Sequence, residues 1–145
     1  MKKFLNGAML ALKSRETGRF LVIQELQSKK GIKREGQLSF PAETIFLGES
    51  KESALGRVFG EEVGIDPPKE NPEFIGKVPW IDRSDLRAEV FVYLAYCDEE
   101  FIARPKDSTD VTFHGWMFLD EIISQDIRLG ILETIMFLKK KKKNI

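Results

Sequence analysis

Short apolar segments alternate along the chain with polar stretches that carry glycine or proline, and this alternation predicts most of the elements. Phe4 to Leu12 and Arg19 to Leu26 have the residues of two strands, with Thr17-Gly18 as the turn between them. The run SKKGIKREGQ is polar, basic and glycine-bearing, so it predicts a loop, and Leu38 to Phe40 a short strand end leading into Pro41. From Ser50 to Glu62 the apolar positions follow helical spacing, and Pro67-Pro68 blocks continuation. Glu73 to Ile81 and Ala88 to Cys97 predict two more strands around the polar loop DRSDLR. DEEFIARPKDSTD predicts another loop, and VTFHGWMFL a strand followed by a helical turn at DEIIS. Ile127, Ile131, Ile135 and Leu138 place one apolar face on a closing amphipathic helix from Asp126 to about Lys142. No repeat or linker interrupts the series. It predicts one α/β domain over residues 1–145, with mixed strand order.

Composition narrows the class. With 145 residues, 42% of them apolar, the chain can bury a substantial core. No run approaches the eighteen or so apolar residues of a membrane span, so no membrane association is expected. The basic start followed by an apolar patch raises the question of a signal peptide. Asn6 and Gly7 break the patch and alternation resumes at once, so it reads as a first strand. The single Cys97 cannot form an intramolecular disulfide, suits a reducing cytoplasm, and sits in VFVYLAYC as a packed thiol. Twenty-three basic residues balance twenty-three acidic ones, which argues against a general nucleic-acid binder. The lysine run 139–143 either attracts phosphate or nucleic acid or, the favoured reading, complements a helix C-terminus and aids solubility. Trp80, Trp116 and the phenylalanines are expected mostly in the core, with one left to stack on a base.

The chemistry concentrates in GESKESALGRVFGEEVGID, residues 48–66. Ser50 is a good N-cap, Glu52 sits where the helix dipole favours an acid, and Leu55 and Phe59 share a face one turn apart. Gly64 suits the left-handed residue that ends a helix. Glu61 and Glu62 break this pattern. Two adjacent acids at the helix C-terminus repel each other and oppose the dipole, unless they point into water or a cation compensates them.

Their spacing resembles the Nudix box, Gly-x5-Glu-x7-Arg-Glu-U-x-Glu-Glu-x-Gly-U, with U a bulky apolar residue. Glu49, Arg57, Phe59, Glu61, Glu62, Gly64 and Ile65 fall on its positions, and WMFLDEI, residues 116–122, is similar to a late Nudix motif. The resemblance implies an α/β/α sandwich with a mixed sheet, and hydrolysis of a nucleoside diphosphate linked to another group with Mg²⁺ or Mn²⁺. Hard divalent cations held by carboxylates neutralise the substrate's phosphates and lower the pKa of bound water. On this reading Glu61 and Glu62 are metal ligands, one of them also a base, and Arg57 and Glu49 pair to fix loop against helix. The backbone carbonyl of Ala42 takes the place of a family ligand. Homodimers are common in the family, and a homodimer is compatible with the resemblance.

The chain departs from the box at three positions. Ala42 and Glu43 stand where the family has glycines, and Val58 replaces the glutamate after the arginine. On an α-helix, Val58 would lie roughly 60° from Glu61 and 40° from Glu62, so one carboxylate is missing from that face. Glu43 either points into solvent or partly replaces the missing acid. Asp110 is the first candidate for a late acid, with Glu99 and Glu100 behind it, and each is alternatively a solvated loop residue. In the basic loop, Lys33 and Arg34 are candidates to meet substrate phosphates. His114 has no partner at zinc-ligand spacing. Two functions follow: a metal-dependent hydrolase acting on a nucleotide-type small molecule, or a catalytically impaired module that binds a nucleotide or protein partner without turnover.

Overall fold

The computed structural model describes residues 2–106 and 110–143. Seven strands form one mixed sheet: β1 (Lys3–Ser14), β2 (Phe20–Glu25), β3 (Leu38–Ser39), β4 (Ala42–Thr44), β5 (Glu73–Asp82), β6 (Leu86–Cys97) and β7 (Val111–Met117). The order β3-β2-β1-β6-β5 forms its main path, with β4 paired to β1 and β7 to β2. β1 and β6 run parallel in unbroken register from Lys3↔Leu86 to Ser14↔Cys97, while β5 returns antiparallel on β6. Among the described residues no helix is long and apolar enough to cross a membrane.

The period-two pattern of β1 divides the core between two layers. Ala8, Leu10 and Leu12 face helix α1 (Lys51–Arg57) and pack with Ala54, Leu55, Val58 and Phe59. Met9 and Ala11 face the opposite way and join Ile122 of α2 (Leu119–Ile123) and Ile131, Ile135 and Leu138 of α3 (Ile131–Lys143). A sheet buried on both faces between helices is the α/β/α sandwich expected from the sequence. Gly7 has a specific reason to lack a side chain: a Cβ there would stand 2.7 Å from Val90 Cγ1 and 2.9 Å from Trp80 Cζ3.

Three boundaries differ from the sequence reading. β4 is an added strand, formed because residues 42–44 pair antiparallel with Gly7, Ala8 and Met9. The closing helix starts at Ile131, since residues 126–128 run along β3 instead: Leu38 N–H donates to Asp126 O (2.8 Å) and Arg128 N–H to Leu38 O (3.0 Å). Gly130, at φ +94°, then turns the chain into α3 against the Pro79 carbonyl. The third difference matters most for function. The box helix is α-helical only to Arg57, and Val58–Val63 continue as a π-helix that ends at Gly64 with φ +82°.

Candidate metal and substrate site

Helix α1 begins as its sequence dictates, with Ser50 Oγ accepting from Ser53 N–H at 3.0 Å. One turn later Arg57 ties three pieces of chain together. Its Nε and Nη2 donate to the two oxygens of Glu49 at 2.9 and 2.8 Å, and Nη2 also donates to Thr44 O at 2.6 Å. The guanidinium lies 4.1 Å from the centre of the Phe46 ring. Hydrogen bonds from Arg57, from Phe46 N–H and from Ser53 pull the Glu49 carboxyl down to about 2. The pair therefore stays charged and holds the 44–49 loop against the helix, the arrangement the resemblance implies.

The π-helical segment changes the geometry at the missing acid. Gly64 N–H reaches back five residues to Phe59 O at 2.8 Å. The 40° and 60° separations hold only for α-helical winding. Here Val58 is fully buried in the core on the α1 side, whereas Glu61 is exposed and Glu62 is buried beside the pocket. Single-turn π segments are often found at functional sites, because they re-aim side chains without ending the helix.

Glu43, Glu62 and Asp110 line two adjoining spaces. The outer one, of about 580 Å³, is completed by Phe46, Arg57, Glu61 and Lys106. The inner one, of about 260 Å³, runs past Lys33 towards Trp80 and Arg128. β4 carries Glu43 to this junction, with Arg57 Nη1 at 3.6 Å from its carboxylate. Burial first, then a hydrogen bond with Glu61, raises the Glu43 carboxyl to about 7, Arg57 opposing. Burial, with Glu43, Glu25 and Asp110 nearby, raises Glu62 to about 8. Ala42 fits without strain, since among the described residues every positive-φ position is a glycine.

The donors gathered at this junction are carboxylate oxygens, the chemistry that hard divalent cations prefer. Among the described residues no group of three or more histidine, cysteine or acidic side chains is placed to hold a metal ion. Magnesium sites need no such cage, because Mg²⁺ is commonly bound by one or two carboxylates together with waters and substrate phosphates. Glu61 and Glu62 would supply the one or two carboxylates of such a site.

Of the two candidates in the basic loop, Lys33 is turned inward and Arg34 outward. Lys33 is buried and donates to Glu25 Oε2 at 2.8 Å and to Asp110 Oδ1 at 2.6 Å. Burial opposes its charge, but the hydrogen bonds to Asp110 and Glu25 outweigh it and hold the ammonium above its ordinary value. Arg34 is exposed, pairs with Asp126 at 2.6 Å and lines neither space. Asp110 is brought to the junction. Glu100 instead binds Arg19 and Thr17, and His114 is exposed. Two residues that the sequence did not single out complete the inner wall. Glu25, 2% exposed, ends the apolar strand β2, and its Oε1 accepts from Arg128 Nη1 at 3.1 Å. A lone acid closing a buried strand was a usable signal. Arg128 gave none, because its place depends on the 126–128 segment leaving the helical pattern.

The fold and the junction of acids beside the helix define a class, and comparison with known proteins names it. The NUDIX domain model matches residues 5–135, so the chain belongs to the Nudix family. Among solved structures it is similar to a MutT protein from Methanosarcina mazei Go1, at 16% identity and a TM-score of 0.75, covering 99% of this chain and 96% of that one. A MutT NUDIX hydrolase from Burkholderia pseudomallei aligns at 24% identity and a TM-score of 0.67, covering 82% and 86%. The NUDIX domain of Shewanella oneidensis NrtR, complexed with ADP ribose, aligns at 16% and 0.71, covering 97% and 88%. No curated protein sequence matches the chain.

Proposed function

We infer that the protein hydrolyses a phosphoanhydride bond in a nucleoside diphosphate-linked or nucleotide substrate, using Mg²⁺ or Mn²⁺. The observation that carries this reading is the convergence of Glu43, Glu62 and Asp110 where the two spaces meet, with Glu61 on the outer wall. Glu61 and Glu62 would hold the cation, with Ala42 O, Glu43 and Asp110 as further oxygen donors. When bound, the cation would neutralise phosphate charge and make a bound water acidic enough to attack at neutral pH. Arg57 and Glu49 keep the loop fixed, so that the carboxylates need little reorganisation. Burial among other acids holds the Glu62 carboxyl at about 8, so a bound cation would displace its proton and use the carboxylate as a ligand.

The test is a panel of nucleoside diphosphate derivatives with Mg²⁺ or Mn²⁺, measuring released phosphate or monophosphate. Turnover that falls at least a hundredfold in Glu62→Gln supports the reading. A panel without metal-dependent turnover removes it. One observation favours the second reading, a binding module without turnover: Val58 is buried in the core, so the helix offers two carboxylates where the family has three. Nucleotide-dependent thermal stabilisation without product would establish that alternative.

A further inference from the structure

Lys139, Lys140 and Lys141 line neither space at the site, and the helix that carries them is unusual on its outer side. A surface helix ordinarily turns polar residues outward. From Ile131 to Leu138, however, α3 is apolar except for Glu133 and Thr134, and Thr134 is buried. Ile131, Ile135 and Leu138 fill the core. On the outer side Leu132 is 46% exposed and Met136, one turn on, 61%. Leu129, just before the helix, is 44% exposed. The next position on the same stripe is Lys140, also exposed. The stripe thus runs from apolar to basic.

The surface beside it repeats the combination. Phe118, half exposed, lines a cleft of about 240 Å³ together with Phe20, Leu138, Lys13 and Lys139. Asp120 pairs with Lys139 and Glu73 with Lys141. Glu133 is the only acid in α3, against five consecutive lysines at its end.

Different partners suit such a face differently. A second copy would bring its own lysines to the same patch, because a two-fold interface uses one surface twice. Nucleic acid would engage the lysines and leave Leu129, Leu132 and Met136 uncovered. A bilayer with anionic headgroups takes both: apolar side chains enter the boundary of headgroups and acyl chains, and ammonium groups meet phosphates. A helix lying in the plane of the surface needs no spanning length. Docking this way leaves the metal site open, since α1 packs on the other face of the sheet and no described residue of α2 or α3 lines the outer space.

We propose that the outer face of α3, with Leu129, Leu132, Met136 and the lysines that follow, docks the protein on a membrane surface that carries anionic phospholipid. This holds whatever reaction the acids perform.

The test is co-sedimentation with vesicles in EDTA, so that no divalent cation bridges protein and lipid. Vesicles of phosphatidylcholine with an equal part of phosphatidylglycerol are expected to carry the protein down. Phosphatidylcholine alone is expected to bind it at least about tenfold more weakly. Added salt is expected to weaken binding to the mixed vesicles. Leu132→Ser combined with Met136→Ser keeps every charge and is expected to lower affinity at least about tenfold, the effect of burying one apolar side chain. Lys140→Gln keeps the apolar stripe and is expected to lower it about fivefold. All three positions are exposed, so Tm is expected to stay unchanged in both variants. Mixed vesicles that leave the protein in solution overturn the proposal. A double serine variant that binds like the unaltered chain does so too, because the contact would then be charge alone. A mixed-sequence oligonucleotide that binds more tightly than the vesicles would assign the lysines to nucleic acid and overturn it. A dimer in sedimentation equilibrium that the double variant abolishes would assign the face to a second copy, with the same result. Turnover on the nucleotide panel, present or absent, alters none of these outcomes.

Discussion

Glu62 and Glu43 carry protons at a pH where most glutamates have lost theirs, and the reason is burial among other acids. The sign of the pH effect follows. Between the usual glutamate value near 4.5 and the folded values of about 7 and 8, the folded chain holds protons that the unfolded chain has released. Stability contributed by these groups is therefore present at pH 5 and is lost as pH rises towards 8. In EDTA, Tm is expected to fall over that window, and Mg²⁺ or Mn²⁺ at pH 8 to restore it. A flat Tm profile in EDTA would contradict the assignment. Val58 permits a second test at this scale. A glutamate at that position enters a closed apolar core with no partner, so Val58→Glu is expected to lose about 2 kcal/mol or more in urea unfolding. A variant that keeps its stability and gains turnover would mean that the helix can rewind to aim the new acid at the junction.

At the scale of the element, the box is a clamp followed by a rewound turn. Ser50, Glu49 and Arg57 were legible as cap and ion pair because each acts within eight residues of chain. The π-helical turn was not legible, because nothing local distinguishes VFGEEV from an ordinary last turn. Backbone hydrogen bonds from Arg104 N–H to Val63 O (3.0 Å) and from Lys106 N–H to Glu61 O (2.7 Å) bring a distant loop onto that turn. Gly64 ends it in a left-handed conformation, and a Cβ there would lie 2.6 Å from Arg104 O. Gly64→Ala is expected to destabilise the protein by about 1–3 kcal/mol. It should also reduce metal affinity measured by calorimetry, since Glu61 and Glu62 depend on the turn that Gly64 closes. Unchanged metal uptake in a destabilised variant would show that the turn holds only the fold.

The whole molecule is joined at the site by a chain of charges from four parts of the sequence, buried at Arg128, Glu25 and Lys33 and half-buried at Asp110: Arg128 to Glu25 (3.1 Å), Glu25 to Lys33 (2.8 Å) and Lys33 to Asp110 (2.6 Å). Deleting Lys33 takes one of two cations from the buried Glu25 and leaves it with Arg128 alone, and weakening such a buried network costs up to about 3–5 kcal/mol. Lys33→Met is expected to fall in that range in urea unfolding and to weaken metal binding, because Asp110 loses its anchor. A loss below about 1 kcal/mol would mean that water already shields the network. The alternation in β1, the helical spacing of the closing helix and the box residues were readable from sequence, since each is a periodic or fixed-distance pattern. Lys33 as a buried bridge, Arg128 beside Trp80 and β4 against β1 were not, because each depends on segments that meet only after folding.

By itself, the sequence determined an α/β domain of mixed strand order and the helix that carries the acids, because periodicity dictates these, while the resemblance of the box implied the family and its sandwich. The tertiary structure alone decided which way Val58 and Glu62 face, which acids crowd together, and which basic residues are already neutralised. The physical reason is that burial and charge pairing are properties of surroundings, and the surroundings of this site are assembled from both ends of the chain.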